Sequence, residues 1–117
     1  MTLREIAVVV GAEVLTNDLD LSADVRCAFS ADLMSDVLAY AQPGALLLTG
    51  LVNPQVARTA DMADLAAILF VGGKQPPTET IELARRLGIP LLWANESMFT
   101  VSGRLFQAGL NGCEVRR

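Results

Sequence analysis

No histidine occurs anywhere in the 117 residues. That removes the usual general base of neutral pH, the Ser-His and Cys-His catalytic pairs and the commonest zinc ligand. Cysteine is scarce: Cys27 and Cys113 are the only two, and their separation offers no C-x-x-C spacing for a metal or redox pair. Two unpaired thiols fit a reduced, cytoplasmic setting. Basic residues are outnumbered, nine Lys+Arg against thirteen Asp+Glu for a net charge of −4. Nucleic acid is therefore not an expected partner, because its backbone is held by clustered cations. Met1-Thr2-Leu3-Arg4-Glu5 has neither the basic segment nor the apolar stretch of a signal peptide. Val37 to Ala57 carries no charge, but Gln42-Pro43-Gly44 and Asn53-Pro54 cut it into pieces too short to span a membrane.

Apolar material is plentiful instead. Hydrophobic residues make up 52% and charged residues 19%, with a mean hydropathy of +0.42, a balance that favours a buried core over disorder. The length suits one domain over residues 1–117, with 111–117 a loose tail. So much apolar residue in a small domain exceeds what one core easily buries, which predicts a homodimer, with Leu51-Val52 and the region of Phe99 and Phe106 as contact surfaces.

Thr2 and Glu5 have the spacing of a capping box, predicting a helix that runs to about Val10 and stops at Gly11. Ala12 to Leu15 and Val25 to Ser30 read as strands, and Asp32 or Ser35 as the cap of a helix through Val37, Leu38 and Tyr40. Ala45 to Thr49 and Ala66 to Val71 are continuous apolar runs bounded by turn residues, the pattern of strands covered on both faces. Between them, Asn53 caps and Pro54 opens a helix. A further helix begins at Thr78-Glu79 and closes at Gly88; Ile89 to Trp93 is the last strand, and Ser97 caps the last helix. This alternation predicts a three-layer α/β/α domain with a mostly parallel sheet.

In such a sheet the loops after the strands open on one edge, where helix N-termini present unpaired amides. Thr49-Gly50 and Asn53 lie in one of these loops, and Gly72-Gly73-Lys74 in another, so Thr49, Gly50, Asn53, Gly72, Gly73 and Lys74 form a candidate site for a small anion. Glu96, after the last strand, is a candidate acceptor for a ligand hydroxyl. Each motif also has a plainer role: paired glycines permit tight turns, Asn53 caps a helix, and an acid leads a helix into the macrodipole. Neither G-x-x-x-x-G-K-[ST] nor G-x-G-x-x-G occurs. Asp18-Leu19-Asp20 lacks the rest of a calcium loop, so no metal or cofactor is expected. With neither His nor a nucleophile motif, no catalytic residue is assigned. The enzyme alternative is a phosphorylated or acyl substrate handled by Lys74, Glu96 and Asp32; a purely structural adaptor is a third reading.

The order of Ser35-Asp36-Val37-Leu38-Ala39, Leu46-Leu47-Leu48-Thr49-Gly50, Asn53-Pro54-Gln55-Val56, Ala66 to Gly73 and Leu87-Gly88-Ile89-Pro90-Leu91-Leu92 resembles the DRTGG domain family. The likeness extends from Leu3-Arg4-Glu5 to Gly103-Arg104-Leu105, with Thr49-Gly50 and Gly72-Gly73 as counterparts of the family's threonine and glycines. It implies a fold like the N-terminal domain of HPr kinase. Such domains occur beside CBS pairs in regulated pyrophosphatases, at the front of phosphotransacetylases, and alone. The stand-alone type is associated with iron-only hydrogenase systems in anaerobic bacteria. The resemblance thus implies a non-catalytic regulatory or ligand-sensing module, dimeric, that binds a small anionic ligand or a partner protein.

Overall fold

The computed structural model describes residues 1–114. Helix α1 (Leu3–Val10) starts at the capping box, in which Thr2 Oγ1 accepts from the Glu5 amide and the Glu5 carboxylate accepts from the Thr2 amide. Those two bonds satisfy amides that a helix start leaves open. The Thr2 amide also holds the Glu5 carboxyl below its ordinary pKa. Gly11 ends the helix with φ +63°, a left-handed conformation that glycine adopts at little cost. Then follow β1 (Glu13–Val14), β2 (Ala28–Ser30), α2 (Met34–Tyr40), β3 (Leu46–Thr49), α3 (Pro54–Met62), β4 (Ala67–Phe70), α4 (Thr78–Leu87), β5 (Leu91–Trp93) and α5 (Met98–Gln107).

The strands form one sheet in the order β1-β5-β4-β3-β2. Strands β2 to β5 are parallel neighbours, and only β1, paired with β5, is antiparallel. Every residue of β3 and β4 is buried. Consecutive side chains point to opposite faces, so both faces need an apolar cover. On one face Leu46, Leu48, Ala67 and Leu69 pack with Leu3 and Ile6 of α1 and Val101 and Leu105 of α5. On the other, Leu47, Ile68 and Phe70 pack with Val37 of α2, Val56, Ala57 and Ala60 of α3, and Ala84 of α4. The three-layer α/β/α reading holds, with a mostly parallel sheet.

Local differences from the sequence reading have physical causes. Val25 to Cys27 are not strand: the amides of Val25 and Arg26 bond to Met1 O and Gly44 O instead of a strand ladder. Asp32 and Ser35 do not cap α2, whose N-cap is Leu33 without a side-chain hydrogen bond. Asn53 takes the N-cap position of α3, but its side chain makes no capping bond. Leu51 and Val52 are half-buried against the α2-α3-α4 side of the core, so they supply no free apolar patch.

The cysteines and the tail are larger corrections. Cys27 and Cys113, read as separate thiols, form a disulfide across 86 positions, which removes the argument for a reduced setting drawn from them. The expected loose tail is also tied down over Asn111 to Cys113: Ala28 N–H donates to Asn111 O and Cys113 N–H donates to Ala28 O, so this segment runs along the outer edge of β2. Residues 115–117 lie outside the described residues.

At the opposite edge, β1 is so short that side-chain chemistry extends its pairing. Leu15 N–H donates to Leu91 O, and the Leu91 N–H donates 3.0 Å to the hydroxyl of fully buried Thr16. Replacing Thr16 with valine keeps the shape and strands that amide. The expected loss is about 1–3 kcal/mol, read as a lower urea midpoint at unchanged m-value. The disulfide closes a long loop of the unfolded chain, so Cys113→Ser is expected to lower stability by about 2–4 kcal/mol. Urea melts of both proteins without reductant measure the difference, which should vanish when both are reduced.

Candidate functional site

Parallel strands deliver all their following loops to one sheet edge. Here these are Ala31-Asp32 after β2, Gly50 to Asn53 after β3, Val71 to Lys74 after β4, and Ala94 to Glu96 after β5. The chain leaves β2, β3 and β4 for helices on the same face, but leaves β5 for α5 on the opposite face. The loops after β4 and β5 therefore diverge, and the crevice of an open α/β sheet forms where neighbouring loops part in this way. Gly72, Gly73 and Lys74 stand on one side of it, Asn95 and Glu96 on the other.

The two sides touch at their bases. Gly72 N–H donates 2.8 Å to Glu96 O, and a Cβ added at Gly73 would lie 3.4 Å from Asn95 Oδ1. Gly72 and Gly73 have φ of +85° and +91°, so the turn into the segment before α4 needs glycine at both. Lys74 is exposed beyond them and forms no ion pair among the described residues. The Glu96 carboxylate is held by the Arg104 guanidinium from α5, so its charge is already countered.

Next along the edge, Thr49 is fully buried at the end of β3. Its hydroxyl donates 3.0 Å to Asp32 Oδ1 and accepts from Leu51 N–H, while Gly50 N–H donates 2.8 Å to the same Asp32 oxygen. A Cβ at Gly50 would lie 3.6 Å from Asp32 Oδ1 and 3.9 Å from Val71 O, ordinary contact distances. The sequence reading offered Thr49 and Gly50 to a ligand anion. In the fold both donors are taken by a carboxylate, which also repels an anion at that point. Asn53 starts α3 with its side chain uncommitted to the helix; behind it, Thr80 Oγ1 donates 2.7 Å to Val52 O and ties the loop to α4.

The structure thus divides the candidates into two groups. Thr49 and Gly50 are both held by the carboxylate of exposed Asp32. Gly73 and Asn95 lie close together with Lys74 exposed beyond them, and Gly72 and Glu96 are bonded at the base of the two loops. Sequence reading set Asp32 at this edge only in the enzyme alternative and missed it as the acceptor for Thr49 and Gly50; it also left out Asn95. Asp32 looked like a helix cap because it precedes a helix, and nothing local shows that it turns toward a strand 17 residues later. Position after β5 was the available signal for Asn95.

The comparisons agree with this architecture. Residues 5–108 match the DRTGG domain family, and the chain belongs to it. Among solved structures, it is similar to the CBS and DRTGG domains of the regulatory region of Clostridium perfringens pyrophosphatase, complexed with the activator diadenosine tetraphosphate. The TM-score is 0.69 at 16% identity, covering 92% of this chain and 46% of that one, so this chain spans less than half of that regulatory region. A search of curated proteins finds no match.

If Asp32 holds both donors, removing its carboxylate leaves a buried hydroxyl and an amide without their acceptor. Asp32→Ala is expected to lose about 1–3 kcal/mol in urea unfolding. Asp32→Asn keeps one acceptor oxygen and should recover most of that loss.

Proposed function

We propose that this chain is a non-catalytic regulatory module that works as a homodimer and senses a small anionic ligand at the crevice between the loops after β4 and β5. The observation that carries the reading is the divergence of these loops around Gly73, Lys74 and Asn95. A phosphate or carboxylate there meets a glycine-rich backbone and an uncommitted ammonium, groups suited to charge-assisted hydrogen bonds. Net charge −4 does not oppose this, because distant surface carboxylates are screened over about 8 Å at physiological salt.

Family membership supports regulation over turnover, as does the nucleotide activator bound by the related pyrophosphatase regulatory region. The carboxylates point the same way. Glu96 is paired with Arg104, and Asp32 is engaged by Thr49 and Gly50, so neither stands ready as a general base at the crevice. We further place the chain with the stand-alone DRTGG domains of iron-only hydrogenase systems, sharing the HPr kinase N-terminal fold, where its signal would pass to a partner protein of anaerobic energy metabolism.

The test is a thermal-shift screen against nucleotides, diadenosine tetraphosphate, acetyl phosphate and pyrophosphate. A ligand at about 100 times its Kd adds about 2.7 kcal/mol to native stability and raises Tm by several degrees. Lys74→Gln should weaken the binding of any hit about tenfold, the scale of a lost charge-assisted contact. A screen without a hit, or a hit indifferent to Lys74→Gln, overturns the site.

A further inference from the structure

We propose that the outer face of α5 is the surface on which two copies of this chain meet, packed about a two-fold axis that passes close to Gly103. This rests on the homodimer reading above and deepens it by naming the surface.

The helix exposes two large rings on the side away from its core residues Val101 and Leu105. Phe99 is 88% and Phe106 67% exposed. Seven positions apart, they lie nearly on one line along the helix, about 10 Å from each other. The residues between them on that line are Ser102 and Gly103. A Cβ added at Gly103 would meet nothing within 4 Å, so a second backbone can approach closely there. The helix therefore presents ring, gap and ring, symmetric about its centre.

That symmetry selects the occupant. An isologous two-fold interface requires one patch to complement itself, and an antiparallel copy of α5 brings the two gaps together and sets Phe99 of each beside Phe106 of the other. Such aromatic pairs pack well in offset or edge-to-face geometry. Beside the stripe, a groove of about 320 Å³ runs between α5 and β2, floored by Ala28, Leu110 and Gly112. Among the described residues no charged side chain lines it, and the nearby Arg104 is neutralised by Glu96, so these residues offer nothing for an oppositely charged partner to grip. Its two polar side chains, Ser30 and Ser102, bond to each other at 2.9 Å and can be buried together with little penalty.

The two rings supply about half of the area that a stable dimer needs. With about 200 Å² for a phenylalanine side chain, the exposed parts of the two rings amount to about 300 Å² per copy. A pair then supplies about 600 Å² from the rings alone, half of the roughly 1,200 Å² at which stable interfaces begin. Groove walls and flanking helix surface contribute to the rest.

The experiment is light scattering and sedimentation equilibrium on the full chain, with Phe106→Asp and Gly103→Cys as variants. Wild type is expected at twice 12.5 kDa at high micromolar concentration. Phe106→Asp should keep its far-UV circular dichroism and weaken self-association by about thirtyfold or more, as loss of an interface anchor does. Mild oxidation of Gly103→Cys should give a covalent dimer, because the two new thiols face each other and the native cysteines are already paired. If Phe106→Asp fails to fold, Phe99→Asp takes its place. A wild-type monomer overturns the proposal, as does a dimer that the folded aspartate variant retains, or one in which Gly103→Cys gives no cross-link. The anion site is tested separately: a dimer whose ligand binding is indifferent to Lys74→Gln counts against the crevice alone, and a wild-type monomer that still binds ligand counts against α5.

Discussion

Every side chain of β3 and β4 is buried, and the rest of the architecture answers that demand. A parallel strand buried on both sides needs a helix layer above and below, and its connections must cross over to return in the same direction. Steps from β2 to β5 through α2, α3 and α4 fill one face in sequence, as crossovers of a single hand require. The other face is left to the helices at the two ends of the chain, α1 and α5. Because α5 follows β5 onto that second face, the loops at the β4 and β5 ends separate. The candidate crevice is thus a consequence of how a short chain covers two central strands.

That origin also explains why the edge is uneven in chemical character. Where consecutive connections cross to the same face, the loops lie close enough to bond to each other, and Asp32 closes over Thr49 and Gly50. A buried hydroxyl at a strand end needs a partner, and Asp32 supplies it from the neighbouring strand. Where the connections diverge, Gly73 and Lys74 are left exposed, with the Lys74 ammonium in no ion pair among the described residues. Structural satisfaction and ligand recognition compete for the same donors, and the topology decides which loops keep theirs.

Much of this was legible in the sequence because it is local. The capping box at Thr2 and Glu5, the stops at Gly11 and Gly88, Pro54 at the start of α3 and the Ser97 cap act within a few residues, and each sits where local chemistry put it. The buried strands were legible too, since Leu46-Leu47-Leu48 and Ala67 to Phe70 have no polar alternation. Contacts between distant residues were not. Asp32 resembles a cap until β3 is beside it, and Cys27 and Cys113 resemble isolated thiols until the return along β2 brings their Cα atoms to 4.9 Å. The stretch before β2 is apolar enough for a strand, yet Val25 and Arg26 lie beyond the start of β3 and have no strand to pair with.

The C-terminal segment shows how one such contact shapes the surface. As the outermost parallel strand, β2 would present a free edge, a template for indiscriminate pairing. Asn111 to Cys113 cover part of that edge through two backbone bonds at Ala28, and the disulfide fixes them there. The same segment places Gly112 and Leu110 in the floor of the groove beside α5. Protection of the edge and formation of an apolar groove are therefore one event. Association through backbone pairing is suppressed at Ala28, and what remains on that side is side-chain packing around Phe99 and Phe106, which is selective for shape. The two exposed phenylalanine rings thus flank the place where the chain has removed the least specific way of burying apolar surface.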